Sequence, residues 1–246
     1  MSPIGSQTTY LVKLQDRHVV AEHTMAFQFE RPERFVFKAG QFIDITLINP
    51  LETDGEGNGR AFSIASAPDE GMLLVATRMR DTTFKRVLAT MPIGSLVKVE
   101  GPFGNLVLHN NQSRFAVFLA GGIGITPFRS ILLRSVREEL PHRLFLFYSN
   151  RRPEDAPFLQ ELETLQRKNP SCTFVPTMTD TSRPDCSWKG EMGRIDQAML
   201  AKHLKRAASP IYYLAGPPGM VKGLRTMLNE ADVGDDDIRT EEFAGY

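Results

Sequence analysis

Two cysteines, Cys172 and Cys186, are all that the 246-residue chain carries. Two thiolates cannot complete a four-cysteine zinc or iron–sulfur site within one chain. Reduced thiols in a cytoplasmic protein fit so low a count better than a disulfide. The five histidines, His18, His23, His109, His142 and His203, contain no H-x-x-x-H pair, so no metal site is expected. An excess of charge is missing too: 29 basic and 29 acidic residues cancel, which removes any bulk electrostatic case for nucleic acid or an anionic membrane. No apolar run approaches the ~18 residues of a membrane-spanning helix. Met1 to Thr9 lack the basic stretch and apolar core of a secretory leader. A cytoplasmic protein without a membrane span is the expectation. What is present is an ordinary globular composition, 41% hydrophobic and 24% charged, in a chain long enough for two domains of about 100–150 residues.

The first hundred residues read as β-structure. Alternation of apolar and polar residues predicts strands at Tyr10–Leu14, Met25–Phe29 and Gln41–Leu47, with more at Ala61–Ala65, Met72–Arg78 and Ser95–Glu100. Short strands separated by Gly and Pro turns suggest a small antiparallel barrel. One helix, Phe84–Ala89, follows an N-cap cluster of Asp81, Thr82 and Thr83. The segment Leu51–Gly59 has almost no apolar content and three acidic residues, and reads as a mobile, solvated loop.

Beyond Leu108–Ser113 the pattern changes to alternating strands and helices. Strands are expected at Arg114–Ala120, Arg143–Tyr148, Thr173–Met178, Ile211–Ala215 and Ile238–Glu242. Helices are expected at Pro127–Glu139, Ala156–Arg167, Asp196–Leu204 and Pro218–Glu230. Such alternation implies a parallel sheet with helices on both faces, and ligands at the carboxyl ends of its strands. Two glycine turns fall at such ends: Gly121-Gly122-Ile123-Gly124-Ile125-Thr126-Pro127 and Gly216-Pro217-Pro218. In the first, Thr126 is placed to cap the helix and Pro127 suits its first position. The glycines let backbone approach a phosphate at a helix end, although Pro127 stands where a G-x-G-x-x-G fingerprint has its third glycine.

Four motifs therefore stand in order: Arg60-Ala61-Phe62-Ser63, Gly101-Pro102-Phe103-Gly104, Gly121 to Pro127, and Gly216-Pro217-Pro218. In this order the chain resembles, over nearly its whole length, the ferredoxin–NADP reductase superfamily of flavin reductases. The resemblance implies a six-stranded Greek-key antiparallel β-barrel binding FAD over residues 1–109. It implies a doubly wound α/β domain binding NADH or NADPH over residues 110–246. Arg60 would pair with the FAD pyrophosphate, Ala61 and Phe62 would line the flavin, and Ser63 would hydrogen-bond near flavin N5. Phe62 replaces the usual tyrosine and so lacks its hydroxyl. Thr82 and Thr83 correspond to a second pyrophosphate contact at a helix start.

Gly121, Gly122, Gly124, Thr126 and Pro127 would receive the pyrophosphate of the nucleotide, and Gly216, Pro217 and Pro218 would flank the nicotinamide. Many relatives carry cysteine where this chain has Ala215. Either Phe243 or Tyr246, near the C-terminus, would cover the flavin. Arg151 and Arg152, after the strand ending at Tyr148, favour a 2′-phosphate and hence NADPH, yet a second basic contact is missing at Thr177–Asp180, with Arg183 a little beyond.

The activity implied is hydride transfer from NAD(P)H to flavin N5, with electrons leaving to a separate acceptor: a ferredoxin, a flavodoxin, an oxygenase component or a small molecule. The chain has no C-x4-C-x2-C array for an iron–sulfur cluster of its own. Two alternatives stand beside this reading. One is a non-catalytic, flavin-holding electron-transfer or regulatory subunit of a larger complex. The other is an NADP-binding module without flavin.

Overall fold

The computed structural model describes residues 8–180, 188–205 and 209–243. In the first half, apolar alternation produces six strands: β1 (Thr9–Ala21), β2 (Thr24–Glu30), β3 (Phe42–Leu47), β4 (Gly59–Ser63), β5 (Met72–Arg78) and β6 (Leu96–Phe103). They form one antiparallel sheet in the order β4-β3-β6-β1-β2-β5. The insertion of β6 between β3 and β1 is the Greek-key crossover. The edges β4 and β5 meet where the chain leaves β4: Ala65 N–H donates to Leu74 O at 2.7 Å and Leu74 N–H to Ser66 Oγ at 3.0 Å. Closure into a barrel removes the unpaired edges.

The barrel interior holds Val12, Leu14, Phe27, Phe29, Ile43, Ile45, Val75, Val97 and Val99. A helix, α1 (Thr83–Thr90), plugs one end with Phe84 and Leu88, four residues apart on one face, against Phe62. Strand β1 continues past the expected Leu14 to Ala21. Its polar residues Asp16, Arg17 and His18 pair with β2 after a bulge, and cross-strand hydrogen bonds, which no apolar pattern reports, extend it.

The second half holds β7 (Ala116–Gly121), β8 (Leu144–Asn150), β9 (Cys172–Met178), β10 (Glu191–Met192), β11 (Ile211–Gly216) and β12 (Ile238–Glu242). They form a parallel sheet in the order β10-β9-β8-β7-β11-β12. The two-residue β10 is too short to leave a sequence pattern. Helices α2 (Ile125–Arg137) and α3 (Leu159–Lys168) cover one face, α4 (Gln197–His203) and α5 (Pro218–Glu230) the other. Strand periodicity divides the residues accordingly: Ala116, Phe118 and Ala120 of β7 face α2, while Val117 and Leu119 face α5. The chain leaves β7 toward β8 and returns on its other side as β11. The switch point, where ligands bind such sheets, is therefore at the carboxyl ends of β7 and β11.

The two sheets share no strand; side chains of α2 and a backbone bond from Glu22 N–H to Glu154 O join them. On α2, Arg129 is buried; it donates to Ala65 O at 2.6 Å and to both carboxylate oxygens of Glu161 at 2.7 Å. The next residue, Ser130, donates to Ser66 O at 2.6 Å. Ile123 packs on Ala26, Ala65, Leu74 and Ala76 of the barrel. The segment leaving Arg60–Ser63 is thereby fixed to the helix that leaves the glycine turn.

Candidate active site

The Arg60–Ser63 strand, the start of α1 and the glycine turn converge on one cleft of about 200 Å³. From the barrel it is lined by Arg60, Ala61, Phe62, Ser63, Thr82 and Lys85; from the second half it is lined by Ile123 and Phe243. Arg78 and Arg80 add two more guanidinium groups. Thr82 is the N-cap of α1 but its hydroxyl makes no capping bond, and Thr82 Oγ1 is buried without a partner. A buried oxygen without a partner is costly, and Arg60, Arg78, Arg80 and Lys85 line the same cleft. Lys85 Nζ donates to Arg78 O at 2.7 Å; burial, with Arg80 and Arg60 nearby, pushes its pKa down to about 8. This donor set fits a diphosphate, and the aromatic Phe62 and Phe243 fit a flat ring.

At the inner end of the cleft, Ser63 is buried, and its hydroxyl donates to Glu241 Oε1 at 2.7 Å. Glu241 comes from β12, at the other end of the chain. Burial raises its carboxyl above the usual range, partly offset by the Ser63 bond. Sequence reading missed Glu241, since only the pairing of β12 with β11 brings it to Ser63. Phe243 follows two residues later, and its N–H donates to Gly216 O at 3.1 Å, which ties it to the Gly216-Pro217-Pro218 motif. Tyr246 lies outside the described residues.

The two glycine turns touch each other. A Cβ on Gly124 would stand 2.3 Å from Ala215 O, so only glycine allows this approach. Gly122 has φ +52°, in the left-handed region. Gly122–Gly124 form a 3₁₀ turn, and α2 begins at Ile125 with Gly124 at its N-cap. The expected cap at Thr126 is corrected accordingly. The 3₁₀ turn enters the helix early, so Thr126 already lies in the first turn and donates back to Ile123 O at 3.0 Å. Pro127 also lies in that turn, where its missing N–H costs nothing. Ala215 is buried.

A larger cleft, about 590 Å³, opens at the carboxyl ends of β8 and β9 and the start of α5. Ser149, Thr179, Arg194, Gly219 and Met220 are among its lining. Arg151 and Arg152 are not. Arg152 donates to Asp155 Oδ2 at 2.8 Å and Oδ1 at 2.9 Å, and pairs with Glu22 of the β1–β2 turn. Glu22 N–H also donates to Glu154 O at 2.8 Å, so Arg152 straps the barrel to the second half. Arg151 is mostly exposed, 4.0 Å from Asp180. Among the described residues lining this cleft, Arg194, in Gly193-Arg194-Ile195 before α4, is the cation, and nothing in its local pattern singles it out.

Residues 11–108 match the family described as an oxidoreductase FAD-binding domain, and residues 118–226 the oxidoreductase NAD-binding domain. The chain is 27% identical over 210 residues to the reductase component DmpP of phenol 2-monooxygenase from Pseudomonas sp. (strain CF600), covering 84% of this chain and 58% of that protein. It is 28% identical over 201 residues to one subunit of the Na(+)-translocating NADH-quinone reductase of Haemophilus influenzae (strain PittEE), covering 76% and 48%. The chain thus spans about half to three-fifths of these relatives. In fold it matches a ferredoxin NADP+ reductase from Neisseria gonorrhoeae solved with bound FAD and NADP, with TM-score 0.79, 24% identity and coverage of 96% of this chain and 99% of that one. Barrel, switch-point turn and both matched domains agree: the chain is an oxidoreductase FAD-binding domain followed by an oxidoreductase NAD-binding domain, in the fold of the ferredoxin–NADP reductases.

Proposed function

We propose that this chain is an NAD(P)H-dependent flavin reductase that passes electrons to a separate acceptor, its two functional halves dividing near residues 109 and 110. The observation that carries the reading is the cleft where Arg60, Ser63, Thr82 and Lys85 of the barrel meet Ile123 and Phe243 of the second half. Bound FAD supplies a carrier that accepts two electrons from the nicotinamide and releases them singly or together. Arg60, Thr82, Thr83 and Lys85 hold its diphosphate, and Ala61, Phe62 and Phe243 line its ring system. Gly121 to Pro127 and Gly216 to Pro218 seat the nucleotide between them, with Arg194 at the outer cleft. The protein's work is mainly to hold the two reactants at the domain boundary, which the Arg129 and Ser130 contacts keep fixed. Ser63 and Glu241 form a hydrogen-bonded pair able to hold a proton beside the reacting ring, since burial keeps the carboxyl protonated to higher pH.

The acceptor is proposed from relatives: a protein named the reductase component of a phenol 2-monooxygenase supports an oxygenase component, and the neighbour named a ferredoxin NADP+ reductase supports a ferredoxin. Among the described residues no helix is long and apolar enough to cross a membrane; a cytoplasmic setting, where NAD(P)H is made, belongs to this proposal. The experiment is FAD titration of wild type and Arg60→Ala, followed by NAD(P)H oxidation with ferricyanide as acceptor. Stoichiometric FAD, at least tenfold weaker binding in the variant and NAD(P)H turnover support the reading. Unchanged affinity removes Arg60 from the site. A second reading, a flavin-holding component of a larger complex, is favoured by the relative that is one subunit of the NADH-quinone reductase. It predicts bound FAD without NAD(P)H turnover by the isolated chain.

A further inference from the structure

The loop between β3 and β4, read from sequence as a solvated, mobile segment, is instead spread across the diphosphate-binding groups. Its three carboxylates are all held. Glu56 accepts from Arg60 Nη2 at 2.7 Å, and Arg60 Nη1 donates to the loop carbonyls of Glu56, Gly57 and Gly59 at 3.0, 3.0 and 2.7 Å. Asp54 Oδ2 accepts from Thr83 N–H, at the N-terminus of α1, at 3.2 Å, while its Oδ1 accepts from Glu56 N–H at 2.9 Å. Glu52 accepts from Arg86 Nη2 at 3.0 Å. The two anion-recognition elements assigned to FAD, the Arg60 guanidinium and the α1 N-terminus, each hold a carboxylate from this loop. Thr82 Oγ1, at the N-cap of the same helix, has no partner.

We infer that loop 51–59 is an internal anionic surrogate for the FAD diphosphate, with Glu56 and Asp54 setting the flavin affinity by competing for Arg60 and the α1 N-terminus. The inference rests on the flavin assignment above. A carboxylate on a guanidinium fork, and another on the free N–H groups of a helix start, satisfy these donors as phosphate oxygens do. Diphosphate entry requires the loop to release them. The Glu56 side chain is 68% exposed, so water receives it readily and the exchange is cheap. The loop therefore lowers affinity modestly and keeps the donors paired when no phosphate is present.

The test uses protein stripped of bound flavin and retitrated by fluorescence or calorimetry, comparing wild type, Glu56→Gln and the Asp54→Asn/Glu56→Gln double variant. The probes are FAD, ADP and riboflavin. ADP, read by its displacement of bound FAD so that only the flavin site reports, carries the diphosphate without the flavin ring; riboflavin carries the ring without phosphate. The expected result is about threefold tighter FAD and ADP binding for Glu56→Gln and about tenfold for the double variant, with riboflavin unchanged. Equal or weaker ADP and FAD binding in both variants overturns the inference, as does equal tightening of riboflavin, which would mark a general loosening of the cleft. Failure of all three proteins to bind FAD overturns the flavin assignment itself, a result distinct from equal affinities. Melting temperatures of the stripped proteins supply a second reading: removal of the carboxylates lowers the ligand-free value and enlarges the rise produced by saturating ADP. An unchanged rise contradicts the inference.

Discussion

The two clefts differ in how their cations are deployed. In the barrel cleft, the arginine picked out by motif, Arg60, lies on the lining with Thr82, Lys85 and Ser63. In the cleft proposed for the nucleotide, the arginines picked out by position, Arg151 and Arg152, are absent from the lining, and among the described residues Arg194 stands there. The difference follows from what fixes each side chain. Arg60 sits on a strand whose register with β3 is set by the barrel core, Ile45 opposite Arg60 and Ile43 opposite Phe62, so its place follows from local alternation. Arg152 lies in a loop, and a long side chain there goes to whichever partner the tertiary fold presents. Here those partners are Asp155 and Glu22, a residue 130 positions away. Motifs that act through backbone position are legible in sequence; motifs that act through a flexible side chain on a loop are much less so.

The largest expected effect concerns what holds the two clefts together. Arg129→Ala removes the donor to Ala65 O and strands the Glu161 carboxylate, with loss of the contact over the Phe158 ring at 4.8 Å. Urea unfolding should report a loss of about 2–3 kcal/mol, less than the ~3–5 kcal/mol of a fully buried pair because Glu161 is partly exposed. A loss near zero means that the clamp does not carry the interface. Next in size is Ser63→Ala, which removes the hydroxyl bonded to Glu241 in the cleft proposed for the flavin. Reduction of bound flavin by NAD(P)H should slow about 10- to 100-fold with FAD content unchanged. Equal rates would leave the Ser63–Glu241 pair a structural contact only.

The cleft proposed for the nucleotide offers the sharpest contrast. Arg194→Ala should weaken NADPH about tenfold more than NADH, through loss of a charge-assisted bond to the 2′-phosphate. Arg151→Ala should leave the NADPH-to-NADH ratio within about twofold, as expected for an exposed charge. The reverse outcome, with Arg151 setting the ratio, restores the placement drawn from sequence. The smallest effect is in the barrel cleft. Lys85 has its pKa lowered to about 8 by burial and neighbouring guanidinium groups, so it carries its charge below pH 8 and loses it above. A phosphate favours the charged form, hence FAD binding takes up a proton near and above pH 8 and affinity falls severalfold from pH 7 to 9. Lys85→Met should flatten that profile, as read by FAD titration at each pH. A profile that persists in the variant assigns the titration elsewhere.

Most of the architecture was legible because it rests on periodicity. Phe118 and Val117 fall on opposite faces of one strand, and Pro218–Glu230 was expected and found as a helix. The helix start after the glycine turn was displaced, because three residues in 3₁₀ conformation can precede an α-helix without changing composition. The partner of Ser63 was hidden because Glu241 lies 178 residues away and joins the cleft only through β12. The acidic loop was read as solvated because polarity describes which residues tolerate water; it says nothing of the cations that a fold places next to them.

The central claim is that flavin and nicotinamide meet in the cleft between the barrel and the glycine turns. Anaerobic stopped-flow absorbance of the FAD-loaded protein, mixed with NADH and with NADPH, tests it most directly. The account predicts that the bound flavin bleaches with at least one nucleotide, at a rate that saturates with its concentration. Stoichiometric FAD that keeps its oxidised spectrum with both nucleotides would contradict it.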